Sequence, residues 1–269
     1  MVRLGYRDVR VNHYKSASQR RDRYQSCEQR GAPTSASCQG SECRKYLCRD
    51  RLIGAAAVRR DHTMKLSQHL TAISLVQRPA HVAEEVLGKF LAKYGEVERV
   101  ELAGWAEVAA YLSPLLSFGT RHVLVPHGEW TLIIDNMHGG SPGDLGVVLS
   151  TRSGAVVVNA TWREDGRIWE VIDKGERQRA VACYEDGGRW VFHEEGTPFG
   201  FEDTAAFAKR KKSERFPVSA VQHNVGAMTG VEFPMDWRAV LSAPAVGLER
   251  STSQFKNPVK QFPTEIDLF

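Results

Sequence analysis

The chain has 269 residues, 42% of them apolar and 25% charged, with five cysteines and a formal net charge of +4. No run reaches the roughly 20 apolar residues that a membrane helix needs, and the segment after Met64 is too often interrupted by polar residues for a signal peptide, so a soluble, cytoplasmic protein is expected. The basic balance is a sum of two unlike pieces. The first 63 residues hold 14 Lys+Arg against 6 Asp+Glu, which leaves 22 against 26 of the total 36 and 32 for the remainder.

Residues 1–63 are expected to be a disordered basic leader, with too little apolar content to bury. A transit peptide and upstream sequence read through to a natural start at Met64 are the alternatives. Cys27, Cys38, Cys43 and Cys48 lie in this stretch with intervening lengths of ten, four and four residues. A tetrahedral zinc ion is usually clasped by closer pairs, and no CxxC is present, so neither a metal site nor a disulfide framework is expected. Cys183 stands alone and reads as a small core residue.

Residues 64–241 are expected to form one α+β domain. From Pro79 to Tyr94 the residues Val82, Val86, Leu87, Phe90, Leu91 and Tyr94 recur at helical spacing. Val97–Leu102 alternates as a strand, and Trp105–Leu112 is a second helix that Pro114 ends. Short runs rich in Val, Ile and Trp follow: His122–Val125, Trp130–Ile134, Gly146–Leu149, Ala155–Trp162, Ile168–Ile172, Ala180–Tyr184 and Trp190–Phe192. Ser153-Gly154, Asp165-Gly166, Lys174-Gly175 and Asp186-Gly187-Gly188 separate the later ones, and such turns favour antiparallel hairpins. The expected architecture is a mostly antiparallel, meander-like sheet of about six or seven strands, with helices on at least one face. Phe201–Arg215 reads as a helix with acids first and Lys209, Arg210, Lys211 and Lys212 late, as the helix dipole prefers. Pro217 opens another, ended by Gly230. Residues 242–269, with Pro244, Pro258 and Pro263, are expected to be a disordered tail.

The segment Asp186-Gly187-Gly188-Arg189-Trp190-Val191-Phe192, then Pro198, Phe199, Gly200, Phe201, Glu202, Asp203 and later Glu214-Arg215-Phe216, resembles a widespread group of bacterial proteins of uncharacterised function, common in actinobacteria. There a DGG-W-V-F hairpin leads to a PFE motif and a helix closing in R-x-R-F. The resemblance runs from about Arg179 to Gly230. It implies the fold and a bacterial origin, and its motifs are turn, strand, cap and helix, with no catalytic residue among them. Small α+β proteins of this type often bind other proteins, immunity proteins against toxins included; that step is analogy.

One loop carries candidate chemistry. Asp135, His138 and Asp144 bracket Gly139-Gly140-Ser141-Pro142-Gly143, an acid and an imidazole among glycines after a strand. A catalytic loop is one reading, but no Gly-x-Ser-x-Gly elbow or phosphate-binding loop accompanies it. His127, His138, His193, Asp135 and Asp144 have no recognised metal-ligand spacing. Lys209 to Lys212 with Arg215 read as a solvated helix end rather than a nucleic-acid site, because stacking aromatics are sparse there. Glu194-Glu195 reads as the start of a loop. The expected function is a non-enzymatic bacterial module that binds another protein, in toxin immunity or regulation, with no cofactor, metal, nucleic acid or membrane. The alternative is a small hydrolase using the Asp135–Asp144 loop, in which His138 is the base or a ligand.

Overall fold

Antiparallel pairing dictates most of this architecture. The computed structural model describes residues 64–65, 70–137, 143–241, 243–251, 261–262 and 264–265, all within one unit, His62–Phe269. Residues 1–63 with their four cysteines, His138 and most of the expected tail lie outside the described residues. The strands of the main sheet are β1 (Ala72–Val76), β2 (Val97–Leu102), β3 (Arg121–His127), β4 (Trp130–Asp135), β5 (Val156–Trp162), β6 (Gly166–Asp173), β7 (Glu176–Asp186), β8 (Arg189–Gly196) and β9 (Ala245–Arg250). The helices are α1 (Ala80–Leu91), α2 (Gly104–Leu112), α3 (Gly143–Ser153), α4 (Val218–Thr229) and the short α5 (Trp237–Val240). The described residues thus form an α+β fold whose nine-stranded sheet has the order β8-β7-β6-β5-β1-β4-β3-β9-β2, every neighbour antiparallel. Two minor pairings, Met64–Lys65 with Thr264–Glu265 and Leu115–Leu116 with Gln261–Phe262, lie outside it.

Because β4 and β5 both run antiparallel to β1 between them, they are parallel to each other, and their connection must cross the sheet. That requirement is met by α3. The run Gly146–Leu149, expected as a strand, belongs to this helix, since a four-residue apolar run fits either period. The β1–α1–β2 and β2–α2–β3 connections likewise join parallel strands. Right-handed crossovers put α1 and α3 on one face and α2 on the other, and this is the arrangement found. Ala83, Leu87 and Leu91 of α1 and Leu149 of α3 pack on Val76, Leu124, Ile133, Val157 and Leu248. On the opposite face α2, α4 and α5 cover Ile73, Leu75, Val123, Leu132, Val158 and Trp169. The centre of the sheet is therefore buried on both sides, and Trp130 to Ile134 of β4 are all buried.

The meander β5–β8 follows the turns expected of it. Gly187 and Gly188 both take positive φ, 59° and 82°, closing a two-residue hairpin. Two further expectations are corrected. Phe201–Arg215 is not a helix; it holds two 3-10 turns, Thr204–Ala208 and Lys212–Glu214. Phe207 and Phe216 are nine residues apart, so an α-helix turning 100° per residue would aim them in opposite directions, whereas both rings pack on the sheet. Within the expected tail, Ala245–Arg250 is a strand inserted between β3 and β2. Its alternation is short, and Pro244 before it resembles the start of a disordered segment.

Candidate functional site

Two regions merit comparison: the foot of β3 and β4, where a sequence candidate sits, and the outer meander. Asp135 ends β4 and is the cross-strand partner of His122 on β3, so both side chains share the face covered by α1 and α3. The Asp135 carboxylate accepts the Met137 amide at 2.9 Å. Burial pushes its carboxyl up to about 6, against that single favourable hydrogen bond. Burial holds the His122 imidazole down at about 4, aided by the nearby Arg250 charge. Next to them Asn136, fully buried, caps the start of β3 by accepting the Thr120 and Arg121 amides at 2.9 and 3.0 Å. His122 Nδ1, Thr120 Oγ1 and Asn136 Nδ2 are buried without a hydrogen-bond partner.

A carboxyl that titrates near neutrality beside a neutral imidazole is an acid–base pair in chemical terms. Of the loop candidates, Asp144 lies in the first turn of α3, and Asp135 stands at the end of β4. His127 is at the opposite end of β3 from His122, and His193 is on β8, strands away. Among the described residues no three His, Cys, Asp or Glu side chains gather to hold a metal ion. His122 and Thr120 escape sequence reasoning because only the strand register brings them to Asp135, which Asn136 follows directly in the chain. A cavity of about 450 Å³ lies elsewhere, on α4, lined by Ser219, Gln222, His223, Gly226, Val231 and Phe233. There His223 Nε2 donates to the Phe201 carbonyl at 3.1 Å.

The outer meander is organised differently. Its inner face is held by Trp169, whose ring meets those of Phe199 and Phe201 with centroids 5.8 and 6.1 Å apart, contacts of about 1 kcal/mol each. Arg179, 1% exposed, and Glu202, 0% exposed, form a buried ion pair at 2.8 Å. Arg179 also donates to Glu194 and to the Glu195 and Gly196 carbonyls, while Glu202 accepts the Phe199 amide. The residues that carried the resemblance, Asp186-Gly187-Gly188, Phe199 and Glu202, are thus a turn, a packing ring and a buried anchor. The buried Cys183 donates to the Lys212 carbonyl, and Arg167 to that of Ser213. Lys209 to Lys212 therefore lie in a segment pinned to the sheet through its backbone, not at a helix end.

Among the described residues, the other face of the meander lacks this cover. The α3 helix is fastened at its end: Ser150 Oγ donates to the Ala155 and Ile172 carbonyls and accepts the Gly175 amide at the β6–β7 turn. Gly146 lies so close to the buried Asn159 amide that a Cβ there would collide with it. Beyond this seat, Ile168, Ala182, Tyr184 and Val191 stand half-exposed in two adjacent rows of β6, β7 and β8. His193 and Glu195 beside them are exposed, and Glu195 lies 3.6 Å from Arg177, which also pairs with Glu170 at 2.9 Å. Asp186 and its cross-strand partner Arg189 border the patch at the hairpin.

No protein-family model, curated protein or solved structure matches the chain.

Proposed function

We propose that this chain is a protein-binding module whose contact surface is the half-exposed face of β6, β7 and β8. The observation that carries the reading is the end of the α1/α3 layer at the β6–β7 turn, which leaves Ile168, Ala182, Tyr184 and Val191 in adjoining rows with no helix of the described residues above them. Apolar residues grouped on a sheet face and rimmed by charge are the usual form of a docking patch. The rim carries Glu170, Asp186 and Glu195 against Arg177 and Arg189, so the partner is a protein with a partly basic, partly apolar surface. A cytoplasmic bacterial setting, in immunity or regulation, is the concrete form of the proposal.

A photo-crosslinking side chain placed at Tyr184 or Val191 in living cells tests it. Both positions are expected to give the same adduct with a second protein, and a probe at the exposed Lys89 of α1 none. Equal labelling at all three positions, or no adduct at the face, overturns the reading.

One observation favours hydrolysis as a second reading: the Asp135 carboxyl at about 6 opposite neutral His122. Turnover of ester, phosphate or peptide substrates that disappears in Asp135→Asn is its signature.

A further inference from the structure

Among the described residues the sheet ends at β8, an edge guarded by the charges of Arg189, Glu194 and Glu195 but not by the other devices that keep sheet edges apart. Proline, a bulge, or a very short strand would serve. Yet β8 pairs with β7 over eight consecutive residues, Arg189 to Gly196, without a register shift, and contains no proline. The opposite edge, β2, is charged as well and is also tied to a helix. Glu98, Arg99 and Glu101 make up half of it, and Arg99 is tied to Glu84 of α1 at 2.6 Å.

The hairpin fixes which backbone groups of β8 point outward. In a two-residue turn the flanking residues, Asp186 and Arg189, form a hydrogen-bonded pair, and bonding then alternates. Arg189, Val191, His193 and Glu195 thus bond to β7, and the N–H and C=O groups of Trp190, Phe192 and Glu194 face away from the sheet. A second β8 strand running antiparallel across a two-fold axis must pair these outward residues with one another. The register centred on Phe192 does so and matches Arg189 to Glu195 end to end. It sets Arg189 against the partner's Glu195, Val191 against the partner's His193, and Phe192 against the partner's Phe192. Two opposite-charge pairs form symmetrically at the ends and an aromatic pair forms at the axis, both favourable cross-strand combinations. Arg189 is exposed, and the Glu195 side chain is 54% exposed, so both are accessible to a partner.

We propose that the occupant of this edge is a second copy of the chain, joined through antiparallel β8–β8 pairing centred on Phe192 into one continuous eighteen-stranded sheet. The interface is isologous, each strand presenting the same residues to the other. It also abuts the two half-exposed meander faces, Val191 and His193 of each copy lying beside those of the other. The proposal rests on the edge and its register, independently of what binds that face.

Charge exchange tests it on the full-length chain, with oligomeric state measured by sedimentation equilibrium at micromolar protein. The wild type is expected to be a dimer. Arg189→Glu opposes two carboxylates at each end, and Glu195→Arg opposes two guanidinium groups. Each variant alone is expected to dimerise at least about tenfold more weakly. An equimolar mixture of the two is expected to recover dimers, because each end then pairs opposite charges. The doubly exchanged chain, Arg189→Glu with Glu195→Arg, is expected to dimerise by itself. Recovery on mixing also shows that the single variants are folded, and the doubly exchanged chain reports independently if one of them is not. A monomeric wild type overturns the proposal, as do single variants that associate like the wild type, or a mixture that fails to recover. A monomer that instead takes up an extended lysine-rich peptide at β8 overturns it too and assigns the edge to a different partner.

Discussion

The two halves of the sheet solve burial differently. In the half containing β1, β4, β3 and β9, helices lie on both faces, and β4 is an almost continuous apolar run. In the meander half, one face is packed with aromatic rings and the other is half-exposed. The polar residues follow suit. Arg179, in the meander, is buried with a full set of acceptors, so its charge is architectural. The buried His122 and the half-buried Asp135, on the α1/α3 face, have few hydrogen-bond partners, and their protonation is displaced to match. A satisfied buried charge holds a structure together, whereas an unsatisfied one costs stability and persists where the surrounding packing, or a function, sustains it.

The largest expected effect comes from breaking the satisfied pair. Arg179→Ala leaves the Glu202 carboxylate, 0% exposed, without its cation, and unfolding by denaturant should register a loss of about 3–5 kcal/mol. Replacing both partners by apolar residues, Arg179→Met with Glu202→Leu, should recover most of it. A single variant that melts like the wild type would place the anchoring of the meander elsewhere.

How much of this was legible in the sequence follows from how local each signal is. The meander strands and their turns are encoded by neighbours: glycine pairs where φ must be positive, and short apolar runs between them. The helices α1, α2 and α4 were equally local, with ends marked by Pro79, Pro114 and Gly230. Central strand β1, Ala-Ile-Ser-Leu-Val, is as short as the runs that were recognised, but lacks turn residues around it. Strand β9 was hidden behind Pro244, and its place between β3 and β2 depends on pairing with residues more than 120 positions earlier. Of the site, Asp135 was legible as the acid after a strand. His122 was not, because its relation to Asp135 exists only in the β3–β4 register.

Removing the unsatisfied groups should have a smaller effect of opposite sign. The Asp135 carboxyl, raised from 3.8 to about 6, adds stability below pH 3.8 that is lost as pH rises to 6. Asp135→Asn should therefore raise stability at pH 7 by about 1–2 kcal/mol, allowing for its partial exposure. The His122 imidazole, lowered from 6.5 to about 4, contributes in the other direction, its share being present above pH 6.5 and lost as pH falls to 4. In the wild type the two slopes oppose each other between pH 4 and 6. In Asp135→Asn the fall in stability across that window should be steeper, and in His122→Phe it should reverse. Parallel pH profiles for all three proteins would mean that the foot of β3 and β4 is wetter than its geometry indicates.

The smallest structural effect is expected on the half-exposed face, where binding and stability can be separated. The variant carrying Tyr184→Lys and Val191→Lys changes two half-exposed strand positions, so its stability should lie within about 1 kcal/mol of the wild type. With a photo-crosslinking probe at Ala182 beside them, the wild-type background should yield an adduct with a protein other than a second copy of the chain, and the double-lysine background should lose it at an unchanged melting temperature. An adduct that survives both lysines, or a fold that collapses with them, would contradict the assignment of this face as the binding surface.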